Sequence, residues 1–134
     1  MSGSQVTIRK DRVRLIALFY PKKDMSFEQF SKYWLEVHGP LFLSLEIVHK
    51  NILKYEQMHF DPKPNQLLSE GGPVMAPVPY YGMAIFEGES FEKIFEVFNH
   101  PEYQKVVLPD EERFFDKSRS LVIAGELATP LDRV

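Results

Sequence analysis

The sequence predicts an α+β fold in which helices cover one face of a four-stranded antiparallel sheet. Four apolar, β-prone runs are spread along the chain, and helical patterns separate them in the order β, α, β, β, α, β. That order is typical of the ferredoxin-like split βαβ arrangement. The length of 134 residues fits a single domain over residues 1–134, in which residues 1–12 form an N-terminal arm.

The first two elements have clear local signals. An apolar run over residues 13–20 predicts a strand. A helix over residues 26–37 is predicted next, because Ser26 is typical of a helix N-cap, Gln29 stands in the capping-box position, and apolar residues follow at helical spacing.

Residues 38–40, His-Gly-Pro, are expected to interrupt this helix before a second helical piece begins. His38 would then lie at a helix C-terminus, where the helix dipole raises the pKa of an imidazole. Such a group gives or takes a proton near neutral pH. The alternative from the residues alone is that His38 only satisfies carbonyl groups at the break.

The second strand is predicted over residues 52–60, where the pattern alternates. Tyr55, Gln57 and His59 fall on one face of it. This face would be exposed to solvent in a monomer, or would point into a cavity in a dimeric barrel.

Residues 61–79 hold five of the ten prolines together with two adjacent glycines. We expect a long irregular loop there. A loop of that length in a compact domain is usually a lid, a binding loop or a disordered insertion, and this one is expected to form a flap over the mouth of a pocket.

The second half of the chain supplies the remaining elements. Residues 80–86 predict the third strand, and Ser90 caps a helix with apolar residues at helical spacing. A short helical turn over residues 102–107 and a fourth strand over residues 120–127 complete the fold. Because the helices cover only one face of the sheet, a second copy of the chain is expected to cover the other.

Composition excludes several classes of function. The chain has no cysteine, so disulfides and thiolate sites are ruled out, and its net charge of −3 argues against nucleic acid as a partner. The four histidines lack metal-site spacing, and we find no nucleotide or serine-hydrolase motif, so neither a metal nor a cofactor is predicted. The N-terminus lacks a signal peptide and no apolar run could span a membrane, which makes the cytoplasm the expected location.

Eleven Phe and six Tyr exceed what a minimal core requires, which indicates a cavity or an interface. Trp34 has a second explanation, because its helical spacing from the other apolar residues of the predicted helix is that of a core residue. The aromatic candidates for contact with a substrate are Tyr20, Tyr33, Trp34, Tyr81 and Phe86.

Four segments together resemble the EthD family in order and spacing. They are residues 30–40 (FSKYWLEVHGP), 55–59 (YEQMH), 80–82 (YYG) and 109–116 (PDEERFFD). The resemblance implies a dimeric α+β barrel, and the fungal members that the chain is most similar to are tailoring enzymes of aromatic polyketide pathways, described as decarboxylases or dehydratases. In one departure, Tyr81 stands where the family commonly has Asp.

The resemblance also implies site residues. It points to His38 and Asp110 as catalytic, with Tyr55, Gln57 and His59 lining the pocket. His38 would transfer a proton while Asp110 orients it, and in a dehydration Tyr55 or His59 would protonate the departing hydroxyl. From the residues alone, Asp110 is explained as part of a capped helix start.

The leading hypothesis is therefore a cofactor-free lyase that acts on a small hydrophobic aromatic molecule. A cofactor-free monooxygenase or cyclase is the second enzymatic hypothesis, because fold does not fix function. The third is a non-catalytic protein that binds a hydrophobic intermediate.

Overall fold

In the computed structural model, which describes residues 5–71 and 79–134, four strands form one antiparallel sheet in the order β2-β3-β1-β4. This topology confirms the predicted fold class. The strands are β1 (Val13–Phe19), β2 (Ile52–His59), β3 (Gly82–Gly88) and β4 (Leu121–Glu126).

Helices and tight helical turns connect these strands. The α-helices of the described chain are α1 (Phe27–Tyr33), α2 (Gly39–Leu43), α3 (Glu46–Asn51), α4 (Pro62–Gly71), α5 (Phe91–Phe98) and α6 (Leu108–Glu111). Two π-helical turns (Trp34–His38 and Tyr103–Val107) lead into α2 and α6, and a 3₁₀ turn (Lys117–Arg119) precedes β4. Within the described ranges, no helix is long and apolar enough to cross a bilayer.

The predicted break after residue 37 is wrong, because the backbone of His38 and Gly39 is helical. The chain instead widens into a π-helical turn, in which the Gly39 amide donates to the Trp34 carbonyl five residues back. Gly39 has no Cβ, so the usual clash of a pre-proline residue in the helical region is relieved. Pro40 then sits in the first turn of α2, where its missing N–H costs little.

The predicted irregular loop is also wrong over residues 62–71, which form helix α4. Pro62 and Pro64 lie in its first turn, where proline is tolerated because the first helical amides have no partner within the helix. The Asp61 side chain accepts from the Lys63 amide there. No residue of α4 is buried, and residues 72–78 of the predicted flap lie outside the described residues.

The core lies between one face of the sheet and the helices. Leu15, Ala17 and Phe19 alternate along β1 toward this side, and all are buried. Phe30 and Trp34 of the helical run are fully buried against them. The capping box predicted from sequence is present, since the Ser26 side chain accepts from the Gln29 amide and the Gln29 side chain accepts from the Ser26 amide.

No helix of the described chain covers the opposite side of the sheet, which we call the open face. Register and strand alternation place seven apolar side chains on it. They are Ile16, Leu18, Met58, Met83, Ile85, Leu121 and Ile123. At one end of this face Glu87 is buried and bonded to Arg12 and Arg14. Burial disfavours the charge on Glu87, but the two guanidinium groups outweigh it and hold its pKa below the usual value.

Candidate active site

A cavity of about 470 Å³ lies between the sheet and the helices. Its volume is that of a site for a small organic molecule. Its wall is mainly apolar, and the residues that line it include Leu15, Ala17, Ala84, Phe86, Phe42 and Phe98. A polar group in such an apolar wall acts more strongly on a bound molecule than it would in bulk water.

His38 is one of the polar residues of this wall, and it forms a dyad with Asp110, which does not itself line the cavity. The Nδ1 of His38 lies 2.9 Å from Oδ2 of Asp110, and only 6% of His38 is exposed. Because an ionised carboxylate only accepts, Nδ1 carries the hydrogen and Nε2 is left with a lone pair. Nε2 makes no hydrogen bond to any described residue, and the ring borders the cavity. The dyad thus presents a base to whatever the cavity holds.

The surroundings of the dyad hold its orientation. Tyr33 donates from its hydroxyl to Oδ1 of Asp110 at 2.5 Å, so both carboxylate oxygens have a donor. Burial, and then the carboxylate beside it, raise the pKa of Tyr33 to about 12, so its phenol stays protonated. The His38 ring also packs on the fully buried ring of Phe114, at 4.6 Å between centroids.

The predicted rise in the pKa of His38 is not what its surroundings produce. Burial disfavours the imidazolium and lowers the pKa below 6.5, although Asp110 and Glu111 act in the opposite direction. His38 lies inside a continuous helical run rather than at a helix end, so the dipole argument fails. The ring is neutral at neutral pH and suited to accept a proton.

A second polar group in the cavity was not singled out from the sequence. Glu111 borders the cavity, accepts from the Tyr103 hydroxyl and pairs with Lys117 at 2.9 Å. In the sequence, the pattern Pro109-Asp110-Glu111 is explained by a helix start alone. Tyr103 and Lys117 come close to Glu111 only in the folded chain. No sequence spacing could have paired them.

The fold brings Tyr55, Gln57 and His59 together, but in a groove rather than in the main cavity. All three line a shallow groove on the outside of β2, beside Ser31 and Pro40. Only Tyr55 also borders the main cavity. The face they share is covered by the helical run of the same chain, since Gln57 donates to the Trp34 carbonyl at 3.3 Å. The face is therefore on the helix-covered side of the sheet, and of the three residues expected to line the pocket only Tyr55 borders the main cavity.

The remaining aromatic candidates divide in the same way. Trp34 and Phe86 border the main cavity, whereas Tyr20, Tyr33 and Tyr81 do not. Tyr81 packs edge-on against Phe30 in the core, and Tyr20 lies beside Arg119, which donates to its hydroxyl at 3.1 Å. Tyr33 is linked to the cavity only through its hydrogen bond to Asp110, which in turn bonds His38. No group of three His, Asp or Glu side chains suited to a metal ion occurs in the part of the chain that the structure describes.

Comparison with known protein families identifies the family of this chain. Residues 22–118, more than half of the chain, match the EthD domain. The chain belongs to the EthD domain family. This EthD protein matches no curated protein sequence.

Solved structures share the fold of this EthD protein. An EthD family protein from Bacillus halodurans superposes with a TM-score of 0.59 at 18% identity, covering 87% of this chain and 98% of the other. A Dabb family protein with a ferredoxin-like fold from Mesorhizobium loti gives 0.57 at 15%, covering 90% and 98%. A dimeric ferredoxin-like protein of unknown function from Thermobifida fusca gives 0.55 at 12%, covering 94% and 100%. Likeness at these identities concerns the fold.

Proposed function

We propose that this EthD protein is a cofactor-free lyase that removes a carbon-bound proton from a small aromatic, polyketide-like substrate. The observation that carries the proposal is the neutral His38, with Nδ1 bonded to Asp110 and Nε2 unpartnered at the wall of an apolar cavity. A general base needs a lone pair and a fixed orientation, and His38 combines both with apolar surroundings.

The lowered pKa of His38 favours dehydration over decarboxylation. In dehydration, Nε2 takes the proton from the carbon beside a carbonyl group, and the electron pair of that bond forms a carbon–carbon double bond as hydroxide departs. The imidazolium then gives the same proton to the departing hydroxide, so water leaves and His38 returns to its neutral form. Decarboxylation instead requires a protonated His38 at the outset, which burial disfavours.

A substrate panel tests the reaction. The purified protein is incubated with an aromatic β-hydroxy ketone, an ortho-hydroxyaryl carboxylic acid and an anthrone, and the products are identified by mass. Loss of water from the hydroxy ketone is expected. Loss of carbon dioxide from the acid, uptake of oxygen by the anthrone, or binding of the panel with no product would overturn the dehydratase proposal, the last in favour of a binding protein.

Variants assign the base. His38→Ala is expected to lower turnover by about a hundredfold or more, the usual contribution of a positioned general base. His49→Ala is the matched control, because His49 lies on α3 with its ring bonded to the Leu43 carbonyl and does not line the cavity. Equal turnover in wild type and His38→Ala would remove His38 from the mechanism.

We also propose that a second copy of the chain covers the open face. Seven apolar side chains on one unpartnered sheet face are more than a folded chain usually leaves in water. The relative from Thermobifida fusca and another from Bacteroides fragilis are described as dimeric. An isologous pairing of two open faces would bury these side chains and the Glu87 ion pairs together.

A further inference from the structure

A chain of hydrogen bonds behind the cavity ends at the Tyr55 hydroxyl. The Trp34 carbonyl can only accept, so it fixes the Gln57 amide with Nε2 toward it, at 3.3 Å. The same Nε2 donates to the Tyr55 oxygen at 2.8 Å. The Gln57 oxygen is thereby directed at His59, whose Nε2 lies 2.9 Å away and must donate.

The other end of this chain fixes His59. Since Nε2 carries the hydrogen, Nδ1 accepts from the Ser31 hydroxyl at 2.6 Å. Burial lowers the pKa of His59, which keeps the ring neutral as this pattern requires. Ser31 donates to His59, His59 to Gln57 and Gln57 to Tyr55, so every hydrogen bond runs in the direction of the cavity. Aligned donors of this kind polarise one another.

The phenol proton of Tyr55 has no acceptor among the described residues. Gln57 offers it only a donor, and the nearby indole of Trp34 is donor-only as well. Burial raises the pKa of Tyr55, so the proton is retained. The Trp34 N–H is itself buried without a hydrogen-bond partner of ordinary geometry. Tyr55 therefore borders the cavity with a proton for which the described protein supplies no acceptor.

We propose that Tyr55, oriented by His59 through Gln57, donates its proton to a carbonyl oxygen of the substrate, which makes the substrate class an aromatic ketone. The inference rests on the proposed function, because the carbon acid that His38 attacks must be acidified by a neighbouring group. As His38 takes the proton, negative charge develops on the carbonyl oxygen, where a preorganised donor is most effective. Tyr55 is then a catalytic residue, and Gln57 and His59 are positioning residues.

Gly39 offers a way to disturb the chain without removing any donor. A Cβ on Gly39 would lie 2.7 Å from Nε2 of Gln57, so the amide has to move away. The end of the Gln57 side chain can move at little cost, but the Cβ would also lie 3.1 Å from the Trp34 carbonyl oxygen and would restore the clash of a pre-proline residue in a helix. Gly39→Ala is therefore expected to unfold at a lower urea concentration than wild type, and in the folded variant the Gln57 amide no longer reaches Tyr55.

A pair of ligands tests the donor directly and requires no turnover. Acetylnaphthalene and isopropenylnaphthalene have the same shape and differ in a carbonyl oxygen against a methylene group. Wild type is expected to bind the ketone about three- to tenfold more tightly, the contribution of one net hydrogen bond. Tyr55→Phe is expected to abolish this preference and leave the affinity for the hydrocarbon unchanged. Tyr80→Phe, a tyrosine outside the cavity, is expected to retain it.

The carbonyl stretching band of bound acetylnaphthalene gives a second readout. The band is expected at lower wavenumber in wild type than in Tyr55→Phe. Gln57→Glu places an acceptor beside the phenol and turns its proton away from the cavity, so both Gln57→Glu and Gly39→Ala are expected to shift the band toward its position in Tyr55→Phe. An unchanged band and preference in these two variants would overturn the positioning role.

Two outcomes separate this inference from the proposed function. His38→Ala is expected to keep the preference for the ketone, because His38 does not contribute to it. Retention of the full preference in Tyr55→Phe, or its absence in wild type, would overturn the inference even if His38 proves to be the base.

Discussion

The substitution Gly82→Ala tests how tightly the wall of the cavity is packed. A Cβ at Gly82 would lie 2.5 Å from Cζ3 of Trp34 and 3.2 Å from both a Phe30 ring carbon and the Met58 carbonyl oxygen. Carbon atoms in contact prefer about 3.5–4.0 Å, so the indole must retreat by roughly 1 Å. It has little room, because Trp34 is fully buried between Phe19, Phe30 and His59.

Overpacking of this kind costs about 1–3 kcal/mol of unfolding free energy. A loss of about 2 kcal/mol lowers the urea midpoint by about 1 M when the denaturant slope is about 2 kcal/mol/M. Because Trp34 also borders the cavity, the affinity for acetylnaphthalene is expected to fall with stability.

Gly125→Ala is the matched control for this prediction. Both glycines lie in strands, neither has a positive φ, and a Cβ at Gly125 would meet no atom within 4 Å. Its unfolding free energy is expected to rise by about 0.4–1 kcal/mol, because alanine restricts the unfolded chain. Equal urea midpoints for the two variants would refute the inferred crowding at Trp34.

Three further predictions concern the dyad and the open face. Asp110→Asn removes a carboxylate that raises the pKa of His38, so the acidic limb of the pH–rate profile is expected to move to lower pH. The rate is expected to fall by less than the roughly hundredfold of His38→Ala. An acidic limb at the wild-type position would contradict the role of Asp110. Folding lowers the pKa of His38, so the unfolded chain binds the proton first, and the unfolding free energy is expected to fall as pH drops below 6.5. Urea titrations between about pH 5 and pH 8 should show a weaker dependence of the unfolding free energy on pH in His38→Ala than in wild type. Light scattering is expected to give twice the mass of one chain for wild type and for Ile85→Val, but the mass of one chain for Ile85→Glu. A monomeric wild type would refute the proposed dimer.

Local chemistry explains which elements the sequence could predict. Ser26 and Ser90 satisfy backbone amides within three residues of themselves, so their helix starts can be located without knowledge of the fold. The strands likewise alternate because one face of the sheet is buried. The errors arose where two local rules compete. Proline signals a loop, yet at Pro40 and Pro62 it occupies the first turn of a helix, where it is tolerated.

The candidate site was predictable only in part. His38 and Asp110 were paired through the family resemblance, and the structure places them in contact. His59 was expected in the pocket, but the hydrogen bonds that place it behind Tyr55 depend on a helix packing across the edge strand β2. The partners of Glu111 are set by tertiary contacts too. Spacing along a chain cannot report such contacts.

The two π-helical turns make the site sensitive to register. Each turn is followed, two residues after its end, by a proline, Pro40 in one case and Pro109 in the other. One turn carries His38, and the other leads into the helix that holds Asp110. In a regular helix one residue corresponds to a rotation of about 100°. Loss of a single residue from either turn would therefore rotate one member of the dyad away from the other. Related sequences should accumulate substitutions around the site far more readily than single-residue deletions within these turns.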